Sequence, residues 1–293
     1  MNVFITGGTG LIGSAVVAEL LGRGHGVLGL ARSERSAQAL TATGAVPLRG
    51  DLGDLEALRT GAARADGVIH LAFGADFSSA DALAKVVAQE NAALAVMGEA
   101  LVGSDRPLVT CSGTPPVAGR MSTEEDPLPL EGPVGGRGRS VNEVLALSAR
   151  GVRSSAVRLP RTVHNHGTGG FAGMLTQIAR RTGVSGYAGD GTQRWPAVHA
   201  LDAAVLFRLA LEQAPAGTSW HAVGDEGDAV LDIATVIGRR LELPVESVPQ
   251  ETYGPLGPIF ATDQPSSSAY TRETLGWQPT HPGLLEDLEN LRA

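Results

Sequence analysis

The residues with the most to say about chemistry stand near the start of the chain: Thr6-Gly7-Gly8-Thr9-Gly10-Leu11-Ile12-Gly13. They follow a short apolar run over residues 2–6 and precede apolar residues at helical spacing over 11–22. A glycine-rich corner between a strand and a helix is suited to holding phosphate. Gly7 permits a tight turn, Gly10 has no Cβ to hold off a pyrophosphate, and Gly13 lets the helix close on the strand. The free N–H groups and the positive dipole end of the helix then face the diphosphate. The expectation is a dinucleotide held by Gly7, Thr9, Gly10, Leu11, Ile12 and Gly13.

A second group decides which dinucleotide. Residues 26–31 form the next strand, and Arg32-Ser33-Glu34-Arg35 follows it. An acid at this place accepts from a ribose 2′-hydroxyl, whereas an arginine accommodates a 2′-phosphate. Arg32 stands at that place, Ser33 can donate to the same phosphate, and Arg35 lies one turn on. The reading is NADP(H). NAD(H) is the alternative, with Arg32 solvated and Glu34 on the ribose.

The elements that must hold these residues can be read from periodicity. Strands are predicted at 2–6, 26–31, 46–49, 68–72, 107–111 and 155–159. Helices are predicted at 11–22, 34–43, 54–62, 79–102 and 138–150. Six alternations of strand and helix imply right-handed crossovers and a parallel sheet. Residues 113–138 contain five prolines and six glycines and read as one long loop, either a lid or a surface insertion. Beyond residue 160 the rhythm loosens, with a hairpin expected over 187–198 around Asp190-Gly191. The fold class is α/β: a Rossmann-type doubly wound parallel sheet with a small C-terminal substrate cap. Residues 1–163 are expected to bind NADP, and 164–293 to complete the sheet edge and form the cap.

Composition removes other classes. The chain has 293 residues, 43% hydrophobic, with a formal net charge of −8. An acidic balance argues against nucleic acid as a partner. No apolar run reaches the ~18 residues of a membrane span. With no basic leader visible, the expectation is a cytoplasmic protein. Cys111 is the single cysteine and Lys85 the single lysine. No metal site is expected.

The motifs resemble those of the short-chain dehydrogenase/reductase superfamily, in its extended or atypical branch near the NAD-dependent epimerase/dehydratase proteins. The resemblance covers about residues 1–225. It implies contacts to the adenine half from Asp51 and Leu52, to its ribose from Leu71, Ala72 and Phe73, and to the nicotinamide from Pro160, Thr162 and Val163. Asn91 stands where members carry an asparagine. Trp195-Pro196-Ala197-Val198-His199, with Asp202, resembles the segment near the substrate domain. It also implies a homodimer through helices 79–102 and 138–150.

Members of this superfamily usually pair a catalytic tyrosine with a lysine four residues on. Here Arg137 falls in the tyrosine slot and Val141 in the lysine slot. The three tyrosines, Tyr187, Tyr253 and Tyr270, have no lysine at that spacing. The family's serine is retained as Ser112. Ser112, His164, His166 and Arg137 are therefore the catalytic candidates, the histidines because they titrate near neutrality. The function expected is NADPH-dependent reduction of a small carbonyl, imine or enone. The alternatives are a non-catalytic NADP-binding redox sensor and a relative of the nucleotide-sugar epimerases and dehydratases.

Overall fold

The computed structural model describes residues 1–74, 79–131 and 135–291. The first elements are β1 (Asn2–Thr6), α1 (Leu11–Gly22), β2 (Gly26–Ala31), α2 (Glu34–Thr43), β3 (Val46–Arg49), α3 (Leu55–Arg64) and β4 (Gly67–His70). Next come α4 (Ala80–Glu99), β5 (Pro107–Gly113), α5 (Gly135–Ala146), β6 (Arg153–Leu159), β7 (Thr162–His164), α6 (Gly170–Thr182), β8 (Ser185–Ala188) and β9 (Arg194–His199). The last are α7 (Ala200–Gln213), β10 (Thr218–His221), β11 (Asp225–Ala229), α8 (Val230–Leu241), β12 (Val245–Val248), α9 (Gly257–Phe260), α10 (Ala269–Leu275) and α11 (Leu284–Leu288).

The chain divides into two compact units. The first comprises residues 1–112, 127–158 and 204–220. Its seven-stranded sheet runs in the order β10-β6-β5-β4-β1-β2-β3, and the β1/β2, β2/β3, β1/β4 and β4/β5 pairs are parallel. Strand order reverses between β1 and β4, so the ligand edge of this doubly wound sheet lies at their carboxyl ends. β1 and β4 are apolar and buried, as strands covered on both faces must be. Phe4, Leu58, Val68, Met97 and Leu108 join one core.

Three helices of this unit start on side-chain caps. Ser33 accepts from the Ser36 amide, Asp54 from Ala57 and Ser79 from Ala82. α5 begins at Gly135, three residues earlier than expected, so the loop after β5 is shorter than its composition suggests.

The second unit comprises residues 113–126, 159–203 and 221–293, around a core of Leu175, Trp195, Ile233, Ile237, Phe260 and Leu288. Its sheets are β11-β9-β7 and β12-β8. The expected hairpin over 187–198 is not formed. β8 pairs in parallel with β12, while β9 pairs with β11 and β7. Asp190-Gly191 does turn the chain, with Gly191 at φ 75°, but it delivers the two strands to different sheets. Residues 113–126 are strapped down within this unit. Ser122 donates its amide to Pro265 O, and the Gln264 side chain donates to Thr114 O at 2.5 Å. Glu124 accepts from the Thr271 amide and hydroxyl. Among the described residues, no helix is long and apolar enough to cross a membrane.

Candidate dinucleotide and active site

The three motif glycines of the first corner are required for three different reasons. Gly7 has φ 75°, and a Cβ there would lie 2.8 Å from the Ala72 nitrogen. At Gly13 a Cβ would overlap the Gly7 carbonyl, so α1 could not sit this close to the loop. Gly10 is different. Its φ of −80° suits any residue, and a Cβ would meet only the Gly7 oxygen at 3.5 Å. Nothing within the chain needs glycine at this position, whereas a diphosphate approaching the helix start does. α1 also begins with no side-chain cap and no acid in its first turn, in contrast to α2, α3 and α4. The corner fits a dinucleotide diphosphate, which Gly10, Leu11 and Ile12 would hold through the start of the helix.

Beneath the corner, β1 is tied to the end of β4. Thr6 Oγ1 accepts from the Leu71 and Ala72 amides at 3.3 and 3.2 Å and lies 2.8 Å from His70 Nδ1. With its acceptor positions used, the hydroxyl gives its proton to Nδ1, and the imidazole proton rests on Nε2. His70 is fully buried, and burial, with the Arg137 charge second, pulls its pKa down to about 3. This clamp sets the gap between Gly7 and Leu71-Ala72.

At the end of β2, Arg32 is exposed and makes no hydrogen bond or ion pair among the described residues; the same holds for Arg35. Glu34 is engaged, accepting from Arg49 Nη1 and Gln38 Nε2, each at 3.3 Å. Ser33 caps α2 but keeps a hydroxyl proton close to Ser36 Oγ. Asp51 accepts from the Gly53 amide at 2.7 Å and remains exposed. Thr9 is exposed beside Gly10, and Leu52 packs against the first unit's core.

The carboxyl ends of β4 and β5 hold an arrangement that the sequence reading did not foresee. Arg137, on α5, donates Nε and Nη2 to the two oxygens of Glu90 at 3.1 and 3.0 Å, and Nη2 also to Cys111 O at 3.3 Å. Its guanidinium carbon stands 4.0 Å above the Phe73 ring centre. Glu90 is buried, and burial pushes its carboxyl up, with Arg137 partly opposing this. Nη1 carries no hydrogen bond among the described residues, and the Arg137 side chain is 24% exposed. Glu90 and Asn91, two polar residues in an Ala- and Val-rich helix, were the signal available in the sequence. Asn91 accepts from the Ser140 hydroxyl on the same pair of helices. Ser112 is buried at the end of β5, next to Cys111, whose thiol burial pushes up.

The remaining predicted residues belong to the second unit. Thr162 is buried, and its hydroxyl accepts from the Ala172 amide; Pro160 and Val163 are buried beside it. His164 is 1% exposed, with Nδ1 2.8 Å from Asp287 Oδ2 and with Nε2 sealed and unpartnered. His166 is exposed at φ 52°. His199, on β9, lies edge-on to His164 and stacks on His281, which in turn pairs with Asp202 at 2.8 Å. Among the described residues no group of three or more His, Cys, Asp and Glu could hold a metal ion.

Residues 3–136 match the NAD dependent epimerase/dehydratase family. The chain is 44% identical over 296 residues to an uncharacterized protein of Schizosaccharomyces pombe, with 98% of each covered. It is 29% identical over 228 residues to a 2-alkyl-3-oxoalkanoate reductase of Stenotrophomonas maltophilia, covering 75% of this chain and 68% of that one. The solved UDP-glucose 4-epimerase of Thermotoga maritima, with UDP-glucose, has a TM-score of 0.80 at 21% identity, covering 99% of this chain and 97% of that chain. This last likeness is one of fold. The glycine corner, the strand order and the family match agree: through residues 3–136 the chain belongs to the NAD dependent epimerase/dehydratase family, whose cofactor is a nicotinamide dinucleotide.

Proposed function

We propose that the protein is an NADPH-dependent oxidoreductase that reduces a small carbonyl, imine or enone by hydride transfer, with non-standard residues at the reacting centre. One observation carries the cofactor choice: Arg32 and Arg35 are unpaired at the end of β2 while the neighbouring acid, Glu34, is held by Arg49. A ribose 2′-phosphate would find two cations there that bond to no other described residue, and the acid beside them already accepts from Arg49. The reductase relative supports the direction of chemistry.

Bound NADPH supplies the hydride, and the chain's residues bind and orient. Ser112 and Arg137, at the carboxyl ends of the central strands, are assigned to the acceptor's oxygen. His164 draws no support as a proton donor, because its Nε2 is buried and its Nδ1 faces Asp287.

The test is titration of the chain with NADPH and NADH, followed by NADPH oxidation across carbonyls, imines and enones. NADPH is expected to bind at least about tenfold more tightly than NADH, and Arg32→Ser to remove most of that difference, as loss of one charge-assisted contact would. Equal affinity in the unaltered chain would sink the NADP choice. Tight NADPH binding with no oxidation of any acceptor would replace the reductase with a redox sensor.

A further inference from the structure

We infer that the hydride acceptor is a conjugated one, a quinone or an enone, whose reduced anion is delocalised and weakly basic, and that Arg137 Nη1 holds that anion by a hydrogen bond without giving it a proton. The inference rests on the reductase reading above. Its physical basis is the inventory of groups at the carboxyl ends of β1, β4 and β5, where a doubly wound sheet places its ligand.

A guanidinium does not surrender a proton at any physiological pH. Glu90 and Cys111 O fix Nε and Nη2 of Arg137, and Phe73 supports its face, which leaves Nη1 as the one nitrogen not bonded to a described residue. The side chain is thus an immobilised donor, the arrangement that stabilises developing negative charge at no cost of reorganisation. Among the described residues of the first unit, the other titratable groups at this edge do not replace the missing acid. His70 is neutral and fully buried, with its pKa at about 3. The Glu90 carboxylate accepts both Arg137 bonds, and the Cys111 thiol is buried.

The chemistry then divides by acceptor. Hydride addition to an isolated ketone forms a C–H bond, sends the π pair to oxygen and leaves a localised alkoxide, which needs a proton as it forms. Addition to an enone β-carbon, or to a quinone, sends the pair through the conjugated system to oxygen. The product is an enolate or a hydroquinone monoanion, the latter about as basic as a tyrosine phenolate, near 10. Such an anion survives on a hydrogen bond until water protonates it. NADPH is oxidised to NADP+, the acceptor gains two electrons and one hydrogen, and water supplies the second proton.

Two measurements separate this inference from the reading beneath it. The first compares NADPH oxidation by 1,4-naphthoquinone and 2-cyclohexenone with that by cyclohexanone. The conjugated acceptors are expected to react at least about a hundredfold faster, the scale of one oxyanion donor. The second needs no turnover. p-Nitrophenol is titrated against the chain, with and without NADP+, and its phenolate absorption is followed. Bound p-nitrophenol is expected to ionise about one pH unit lower than when free, as a nearby cation dictates. Arg137→Gln alone strands Glu90, so the double variant Arg137→Gln with Glu90→Gln accompanies it, and both are expected to abolish the shift. Cyclohexanone reacting as fast as the quinone, an unshifted phenol, or a shift that survives loss of Arg137 would each overturn the inference. Failure to bind NADPH would instead remove the reductase reading, and the phenolate shift would still report on Arg137.

Discussion

His70 and His164 are equally hidden from solvent and differently partnered. In the first unit His70 is 0% exposed and meets a hydroxyl, Thr6 Oγ1, with the Arg137 charge acting on it second to burial. In the second unit His164 is 1% exposed and meets a carboxylate, Asp287, which also accepts the Gly167 amide at 3.0 Å. Burial penalises a charged imidazole at His70. At the second place it is the carboxylate that gains from the contact. Despite the burial that raises it, Asp287 is held below the ordinary carboxylate range by the Gly167 amide and by His164. Two imidazoles at equal depth thus differ in what they do to their partners.

The largest consequence is acid sensitivity from His70. Its folded pKa lies near 3, below the value of about 6.5 it takes when unfolded. Above pH 6.5 both states are neutral and the native state suffers no penalty. As pH falls below that, the unfolded chain takes up a proton that the folded chain refuses, and stability drops by up to ~1.4 kcal/mol per unit. Between pH 6.5 and 4 this amounts to roughly 3 kcal/mol. Urea unfolding followed across that range is expected to show the slope in the unaltered chain and to lose most of it in His70→Asn. An unchanged slope in the variant would mean that His70 carries no such penalty.

Much of this contrast lay outside what a sequence can display. The glycine corner was legible because its three positions answer to local geometry: a positive φ, a helix packed against a loop, and an opening for a ligand. The alternation of strands and helices was legible for the same reason, since each element's period is local. Partnerships were not. Arg137 was recognisable as out of place, but Glu90 lies 47 residues upstream, and no spacing rule links a residue of α4 to one of α5. Asp287 is 123 residues from His164. The hairpin expected at Asp190-Gly191 failed on the same ground, because a turn signal specifies that the chain reverses and not which strand it then pairs with. β11, whose sequence is Asp-Glu-Gly-Asp-Ala, shows no apolar alternation and takes its extended form from pairing with β9.

Replacing the carboxylate of the second unit should bring its histidine closer to the first. Asp287→Asn keeps the shape and leaves one neutral oxygen for two donors, the His164 ring and the Gly167 amide. Loss of bonds to a charged acceptor is expected to cost about 2 kcal/mol at pH 7. The pH dependence changes as well. In the unaltered chain the contribution of Asp287 is complete above its unfolded pKa of about 3.9 and fades as pH falls toward its lower folded value. In the variant that contribution is absent, so the part of the acid slope that Asp287 supplies below about pH 3.9 disappears. Chemical denaturation at pH 7 and pH 3 reads both effects. Equal stability of variant and parent at pH 7, with an equal loss at pH 3, would show that the charge on Asp287 carries no stability.

The finest test uses the histidine between these extremes. His199 has no carboxylate of its own. Its Nδ1 accepts from the Leu201 amide at 3.2 Å, and its ring lies between His164 on β7 and His281 in the segment before α11, with Asp287 and Asp202 beyond them. Burial first, then the two neighbouring histidines, lower its pKa, and the two aspartates oppose them. It therefore shares the sign of His70: stability is complete above pH 6.5 and is lost below it. His281 is the exposed member, 35% open and paired with Asp202. His281→Gln removes the stacked ring whose charge opposes that of His199, while keeping a polar group near Asp202. Asp202 is buried but keeps the Thr280 and His281 amides as donors in the variant, and His281 is partly open, so the variant should melt within a degree or two of the parent at pH 7. Between pH 6.5 and 5 its loss of stability should be shallower, because one of the two charges that hold His199 neutral is gone. Amide exchange at residues 199–202 and 277–281, corrected for intrinsic rates, resolves so small a change. A steeper acid response in the variant would mean that Asp202, released from His281, matters less to His199 than its stacked neighbour's packing does.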